Sequence, residues 1–258
     1  MEIIAAKILV GFVVGVLIGM SGIGGGVLLL PVLIYGLGVP AIIAVGSDAL
    51  FNFFTKIPAG LMHLRKGTVR RKVVLALAVG SVPGSIAGVA LLTRIRAVYG
   101  DGVNNFIKIA VGVLLIVIPL LLLFQRRIEE KVVVRPPTMK SFAGMVVIGL
   151  FAGFLVGMTS VGSGSVIMML LLLFYSYSPK VNVGTDVVHA VVLTGVTGLL
   201  HFRLGNVDPT LVVTLLIGSV PGGLIGSHLS TRVPMLWLRR ILCTLLLVTG
   251  ARMLWPAF

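Results

Sequence analysis

Gly19–Pro31 reads GMSGIGGGVLLLP, and 138 positions later Gly157–Met169 reads GMTSVGSGSVIMM. Each segment sits inside an uncharged run, Ile8–Ser47 and Ser141–Pro179, longer than the roughly 20 apolar residues that cross a bilayer. One straight helix over Ile8–Gly38 would measure roughly 46 Å against a hydrocarbon core of about 30 Å. The run is therefore too long for a single span, and the cluster Gly22, Gly24, Gly25, Gly26 marks where it breaks. The expected structure is a helix, a tight turn and a second helix, either re-entrant or crossing twice, starting and ending on one side of the membrane.

The rest of the composition agrees with a chain built for lipid. Of 258 residues, 58% are hydrophobic and 11% charged, and the mean hydropathy is +1.17, where a soluble domain carries about 25% charged residues. The 33 glycines and 12 prolines lie largely in the apolar stretches, as membrane helices tolerate. The net charge of +14 is read as topology rather than nucleic-acid binding, because Lys and Arg accumulate in cytoplasmic loops. RKGTVRRK (Arg65–Lys72), and Arg126, Arg127, Lys131, Arg135 and Lys140, are expected on the cytoplasmic side. Cys243 is the single cysteine, so one chain holds no disulfide and no multi-cysteine metal site. The N-terminal apolar sequence belongs to a repeated unit, so a cleaved leader is not expected.

Sliding the chain against itself by 138 places aligns Gly11–Arg96 with Gly149–Pro234 without a gap, and 28 of the 86 pairs are identical. The matches gather in the glycine-rich segments, in VGSD (Val45–Asp48) with VGTD (Val183–Asp186), in HLRKGTV (His63–Val69) with HFRLGNV (His201–Val207), and in GSVPG at Gly80–Gly84 and Gly218–Gly222. The chain divides into a first repeat over 1–124, a charged connecting loop over 125–140 and a second repeat over 141–258. Ordinary spans are expected near 42–62, 73–92, 105–124, 181–201, 210–229 and 239–256. The fold class is an all-α integral membrane protein whose halves are each a glycine-broken hairpin plus three transmembrane helices. A hairpin plus three spans is an odd number of net crossings, which inverts the second repeat; a run that crossed once would make the repeats parallel. RKGTVRRK is strongly basic while its counterpart, Arg203–Thr210, carries one Arg and Asp208, as counterparts on opposite sides would differ.

Inverted repeats with interrupted helices are a transporter design in which helix ends meet near the midplane and bind substrate or ions. The candidate substrate-binding residues are therefore Ser21, Gly22, Gly24, Gly25 and Gly26 with Thr159, Ser160, Gly162, Ser163 and Gly164. Glycine lets backbone approach a ligand, and helices starting near Gly26 and Gly164 present free N–H groups and a positive dipole end to an anion. Close helix contact through small residues is the alternative use of the same glycines. Asp48 and Asp186 occupy equivalent positions near the start of two apolar spans, where a carboxylate is costly unless paired or used; they are candidates for proton or cation coupling, or for helix caps. His189 shares a helical face with Asp186, and Lys56 nearly shares one with Asp48. Of the boundary pairs His63–Arg65 and His201–Arg203, Arg203 is the better anion-binding candidate, since Arg65 belongs to a basic cluster. The GSVPG segments read as Pro-kinked elements for helix contact or hinging.

No HExxH, phosphate loop or nucleophile elbow is present, so no enzyme, cofactor or metal site is expected. In order and duplication, the GMSGIGGG motif, the VGSD and VGTD steps, the HxRxGxV loop and GSVPG together resemble the TauE/SafE family of sulfite and organosulfonate exporters, over nearly the whole chain. The resemblance implies a multi-pass inner-membrane transporter of small anions. It maps the family's glycine-rich turns onto the residues named above and its small polar step onto Ser47 and Thr185. The leading expectation is a secondary exporter of a small anion, working by alternating access. An anion channel, or a membrane subunit delivering sulfur compounds to a partner enzyme, are the alternatives. Expected partners are membrane lipid and the anionic substrate; the oligomeric state, a homodimer included, is left open.

Overall fold

The computed structural model describes residues 2–21, 25–129, 139–174, 179–229 and 235–255. Among them are ten α-helices and no strand: α1 Glu2–Ser21, α2 Gly25–Pro31, α3 Ala41–Arg65, α4 Arg71–Tyr99, α5 Gly102–Glu129, α6 Met139–Thr159, α7 Ser165–Phe174, α8 Pro179–Arg203, α9 Pro209–Leu229 and α10 Met235–Leu254. By length and composition α4, α6, α8, α9 and the Gly102–Leu121 part of α5 can cross a bilayer. This is a multi-pass membrane protein. α3 matches its counterpart α8 in length but carries Asp48, Asn52 and Lys56 at four-residue steps, which puts all three on one face.

Both long runs break at their glycine-rich segments. α1 ends at Ser21 and α2 begins at Gly25, continuing as a π-helical turn over Val32–Gly36; α6 ends at Thr159, Ser160–Gly164 make a turn, and α7 follows. Gly22, Gly24 and the side chain of Ser21 lie outside the described residues. All of α2 is buried, and irregular backbone is tolerated at membrane depth where protein covers it. The first run also starts and ends at one end of the bundle. Lys7 Nζ lies 4.0 Å from Asp208 Oδ2, and the Asp208 N–H donates to Ser47 Oγ, two turns into α3, at 3.0 Å. The connecting stretch is shorter than 125–140: α5 continues to Glu129 and α6 starts at Met139. Gln125, Arg126, Arg127 and Glu129 are good helix formers, so leaving the apolar span does not end the helix; residues 130–138 lie outside the described residues.

The repeats interlock rather than fold side by side. A Cβ on Gly11, Gly15 or Gly19 of α1 would strike the carbonyl oxygen of Leu215, Ser219 or Gly223 on α9, and one on Gly149, Gly153 or Gly157 of α6 would strike that of Leu77, Ser81 or Ser85 on α4. Four-residue glycine spacing on both partners brings backbones into contact, the close approach by which helices associate without a hydrophobic driving force in lipid. The GSVPG glycines work the same way, Gly80 and Gly84 against Val146 and Leu150, Gly218 and Gly222 against Ile8 and Phe12. Each of these contacts across α1 and α9 has its counterpart, 138 residues away on each side, across α6 and α4. In both pairs the residue numbers rise together, so the partners run parallel.

The counterpart helices α3 and α8 meet each other antiparallel. Gly46 faces His201, Gly198 faces Leu50, Gly195 faces Phe53, and Gly60 faces Val188 and Val191. α5 and α10 do likewise around the counterpart glycines Gly112 and Gly250, with Gly112 against Met253 and Gly250 against Leu115 and Ile116. Equivalent helices that touch antiparallel are related by a twofold axis perpendicular to them. Arg96 Nη1 donates to Asn206 Oδ1 at 2.6 Å, joining the α4–α5 end of the first repeat to the α8–α9 loop of the second.

Candidate functional site

The second hairpin's turn is fastened to α3 at two points. Ser160 Oγ donates to Asp48 Oδ2 at 2.7 Å. Two turns further along α3, Lys56 Nζ donates to Ser163 Oγ at 2.9 Å and to Ser163 O at 3.2 Å. Ser160 takes φ 57° and Gly162 φ 101°, so the chain reverses through two left-handed residues, one of them not glycine. A left-handed serine is strained by about 1–2 kcal/mol, and such strain persists where surrounding contacts over-determine it; here they are the Asp48 bond and the Ser160 N–H to Val156 O at 2.7 Å. Thr159 closes the end of α6, donating to Leu155 O and accepting the Val161 N–H.

Asp48 is the eighth residue of α3 and Asp186 the eighth of α8, so both lie two turns inside their helices and neither is an N-cap. Asp48 is 0% and Asp186 5% exposed. Asn52 Nδ2 donates to Asp48 Oδ2 and to Asp48 O, each at 2.9 Å. The half-buried Lys56 lies within electrostatic reach of Asp48, Asp186 and His189. His189 and Ser81 of α4 share a hydrogen bond of 2.8 Å, and Ser85 and Thr197 one of the same length. Gly25 and Gly26 start α2 against this cluster: a Cβ on Gly26 would sit 2.7 Å from Asp48 Oδ2 and 2.9 Å from Ser160 O, and one on Gly25 would sit 2.8 Å from Asn52 Oδ1. Two interrupted helices, two carboxylates, one ammonium and several hydroxyls thus converge where the repeats meet, as in transporters with midplane sites.

A family profile described as sulfite exporter TauE/SafE matches residues 7–253. The chain belongs to the TauE/SafE family. It is similar to YjnA of Bacillus subtilis (strain 168), named a probable membrane transporter protein, with 36% identity covering 96% of this chain and 98% of that one. It is also similar to YdhB of the same organism, at 26% identity over 88% and 90% of the two chains, and to MJ0441 of Methanocaldococcus jannaschii, at 26% over 96% and 94%. Both carry the same description. No solved structure matches. The protein is a membrane transporter rather than an enzyme.

In this TauE/SafE chain the three residues of each small polar step do different things. Gly46 lets the loop carbonyl of Asn206 approach, and Gly184 does so for Thr68. Ser47 Oγ accepts the Asp208 N–H at 3.0 Å, and Thr185 Oγ1 accepts the Arg70 N–H at 3.1 Å. The hydroxyls therefore hold the opposite repeat's HxRxGxV loop at the start of α9 or α4, while the aspartates face the centre. Arg203 is exposed in the last turn of α8 and is not brought to the glycine-rich turns. His63 Nδ1 pairs with Thr68 Oγ1 at 2.8 Å, while buried His201 pairs through Nε2 with Gly157 O at 3.0 Å. Sequence reasoning missed Asn52, Ser81 and Ser85. Asn52 carried a signal, standing one turn after Asp48 on the same face; Ser81 and Ser85 carried none beyond their place in a helix-contact motif.

Proposed function

We propose that this protein is a secondary transporter, in the export direction, of a small anion such as sulfite or an organosulfonate. The inverted repeats alternate access around a site between the glycine-rich turns, in the inner membrane. The observation carrying this reading is Lys56, an ammonium group tied to Ser163 at the turn where the repeats meet. Two of its three N–H donors go to Ser163, and the third is available to an oxyanion. The test is a thermal-shift and equilibrium-binding panel on purified protein with sulfite, thiosulfate, sulfoacetate, taurine and sulfate. Sulfite or an organosulfonate gives the largest stabilisation, and Lys56→Met removes it; silence from all five overturns the anion reading.

The topology has its own test. Lys66 and Leu204 are counterpart, exposed loop residues. In a Cys243→Ser background, an impermeant maleimide applied to cells labels Leu204→Cys but not Lys66→Cys, which reacts only after permeabilisation. Labelling of both from one side requires parallel repeats.

A further inference from the structure

The two buried carboxylates are counterparts in the repeat, yet their neighbours differ in kind. Asp48 has Asn52 one turn on and Ser160 across the interface; in the sequence the counterparts of these two residues are Ala190 and Gly22. Conversely His189, one turn from Asp186, replaces Phe51. The groups that hydrogen-bond Asp48 are therefore a hydroxyl and an amide, while Lys56 lies within electrostatic reach of both carboxylates.

Asp48 Oδ2 accepts two hydrogen bonds, from Ser160 Oγ and Asn52 Nδ2. Asp48 Oδ1 and Asn52 Oδ1 accept none, although both side chains are at most 1% exposed. Turning the amide over gains nothing, because Nδ2 already serves Asp48 Oδ2 and Asp48 O. A third oxygen, Ser160 O, lies 2.9 Å from the point that a Gly26 Cβ would take, itself 2.7 Å from Asp48 Oδ2. The missing side chain keeps a small space bordered by Asp48 Oδ2, Ser160 O and, at 3.5 Å, Asn52 Nδ2, while Asn52 Oδ1 borders the neighbouring Gly25 position at 2.8 Å. α6 ends at Thr159, so the negative end of its dipole falls at the same place.

Charge counting points the same way. Asp48 and Asp186 bring two negative charges to the centre, and Lys56, engaged with Ser163 on the far side of the turn, brings one positive charge. With His189 neutral the cluster lacks one positive charge, a large deficit at membrane depth. We propose that Asp48, Asn52 and Ser160 form a binding site for one sodium ion. Oxygen donors suit a hard cation, and a single carboxylate suits a monovalent one, since divalent ions recruit more carboxylates. A proton shared between Asp48 Oδ1 and Asn52 Oδ1 would supply the charge but would need neither Ser160 O nor the space at Gly26. Any coupling of this ion to transport rests on the anion reading above; the site itself does not.

The test uses purified full-length protein with chloride as its only anion, replacing choline by sodium at constant ionic strength. Sodium raises Tm by about 5 °C at saturation, and equilibrium dialysis with radioactive sodium counts one ion per chain. Asn52→Ala imports the residue the second repeat uses at the counterpart position and lowers sodium affinity about tenfold or more; Asp48→Asn abolishes binding, and Asp186→Asn, which leaves the three residues of the site in place but removes a negative charge, still binds one ion per chain at lower affinity. Equal Tm values in choline confirm that the variants fold. Absence of sodium binding by the wild-type protein, binding unchanged in Asn52→Ala or Asp48→Asn, or stability that follows pH but not sodium, overturns the site.

Discussion

Gly26→Leu yields a folded protein that does not transport. A Cβ on Gly26 would lie 2.7 Å from Asp48 Oδ2 and 2.9 Å from the Ser160 carbonyl, and leucine adds three further carbons in the same direction. The substitution separates Ser160 from Asp48 and displaces the turn that also holds Lys56 through Ser163. Misplacing a working group by about 1 Å costs on the order of 100-fold in rate, so uptake into proteoliposomes falls by at least that factor. The fold survives because α2 lies inside the hairpin and the helix pairs α1–α9 and α4–α6 are untouched. Gly153→Leu shows the contrast. Its Cβ would overlap Ser81 O and lie 2.6 Å from Ser81 Cα, in the middle of a backbone-to-backbone helix contact, and that variant loses expression and its size-exclusion peak. If Gly26→Leu keeps both its fold and its transport rate, the glycine-rich turn is not the site.

The different fates of these two glycines explain what the sequence could and could not convey. Duplication of the glycine-rich run, and its excess length over a single span, told that each half opens with a broken helix. Helices over the expected spans and the aspartate positions followed from the same alignment. Which helix each glycine meets was not legible. Gly11, Gly15 and Gly19 of the first repeat pack on α9 of the second, and a four-residue period says that a close contact exists without saying with whom. Ser47 and Thr185 entered as site residues through the resemblance, as the family's small polar step; their bonds to Asp208 and Arg70 cross between repeats and leave no local mark. For Asp48 the cap and the interior site could not be separated, since the difference is two helical turns and Pro40 is no capping side chain. α3 starts at Ala41, and its second residue, Ile42, has its N–H capped from α5 by Asn104 Oδ1 at 3.1 Å.

Asp186→Asn keeps anion binding and loses pH-driven transport. An ionised carboxylate repels an anion, so a site containing both works if Asp186 is protonated when the anion is present and deprotonated when it leaves. The groups facing Asp186 leave it that freedom. Lys56 reaches it electrostatically but is held by Ser163 and shared with Asp48; His189 is engaged with Ser81; and no amide takes the place that Asn52 has beside Asp48. With a sodium ion at Asp48 the cluster is neutral when Asp186 is ionised. A proton on Asp186 then makes it positive by one charge, and a monoanion restores neutrality. Wild-type anion affinity therefore rises as pH falls, because the proton bound at Asp186 is part of the loaded state. In Asp186→Asn the neutral state is permanent: affinity equals or exceeds the wild-type value, no longer varies with pH, and an imposed pH gradient drives no uptake. A helix-capping Asp186 would have predicted a stability loss of about 1 kcal/mol or less with pH dependence intact, but its place two turns inside α8 removes that role. Equilibrium binding and proteoliposome uptake across a pH gradient, measured on the same preparation, decide the matter. Normal pH-driven uptake by the Asn variant takes Asp186 out of the mechanism and leaves the driving force to membrane potential or to the substrate's own protonation.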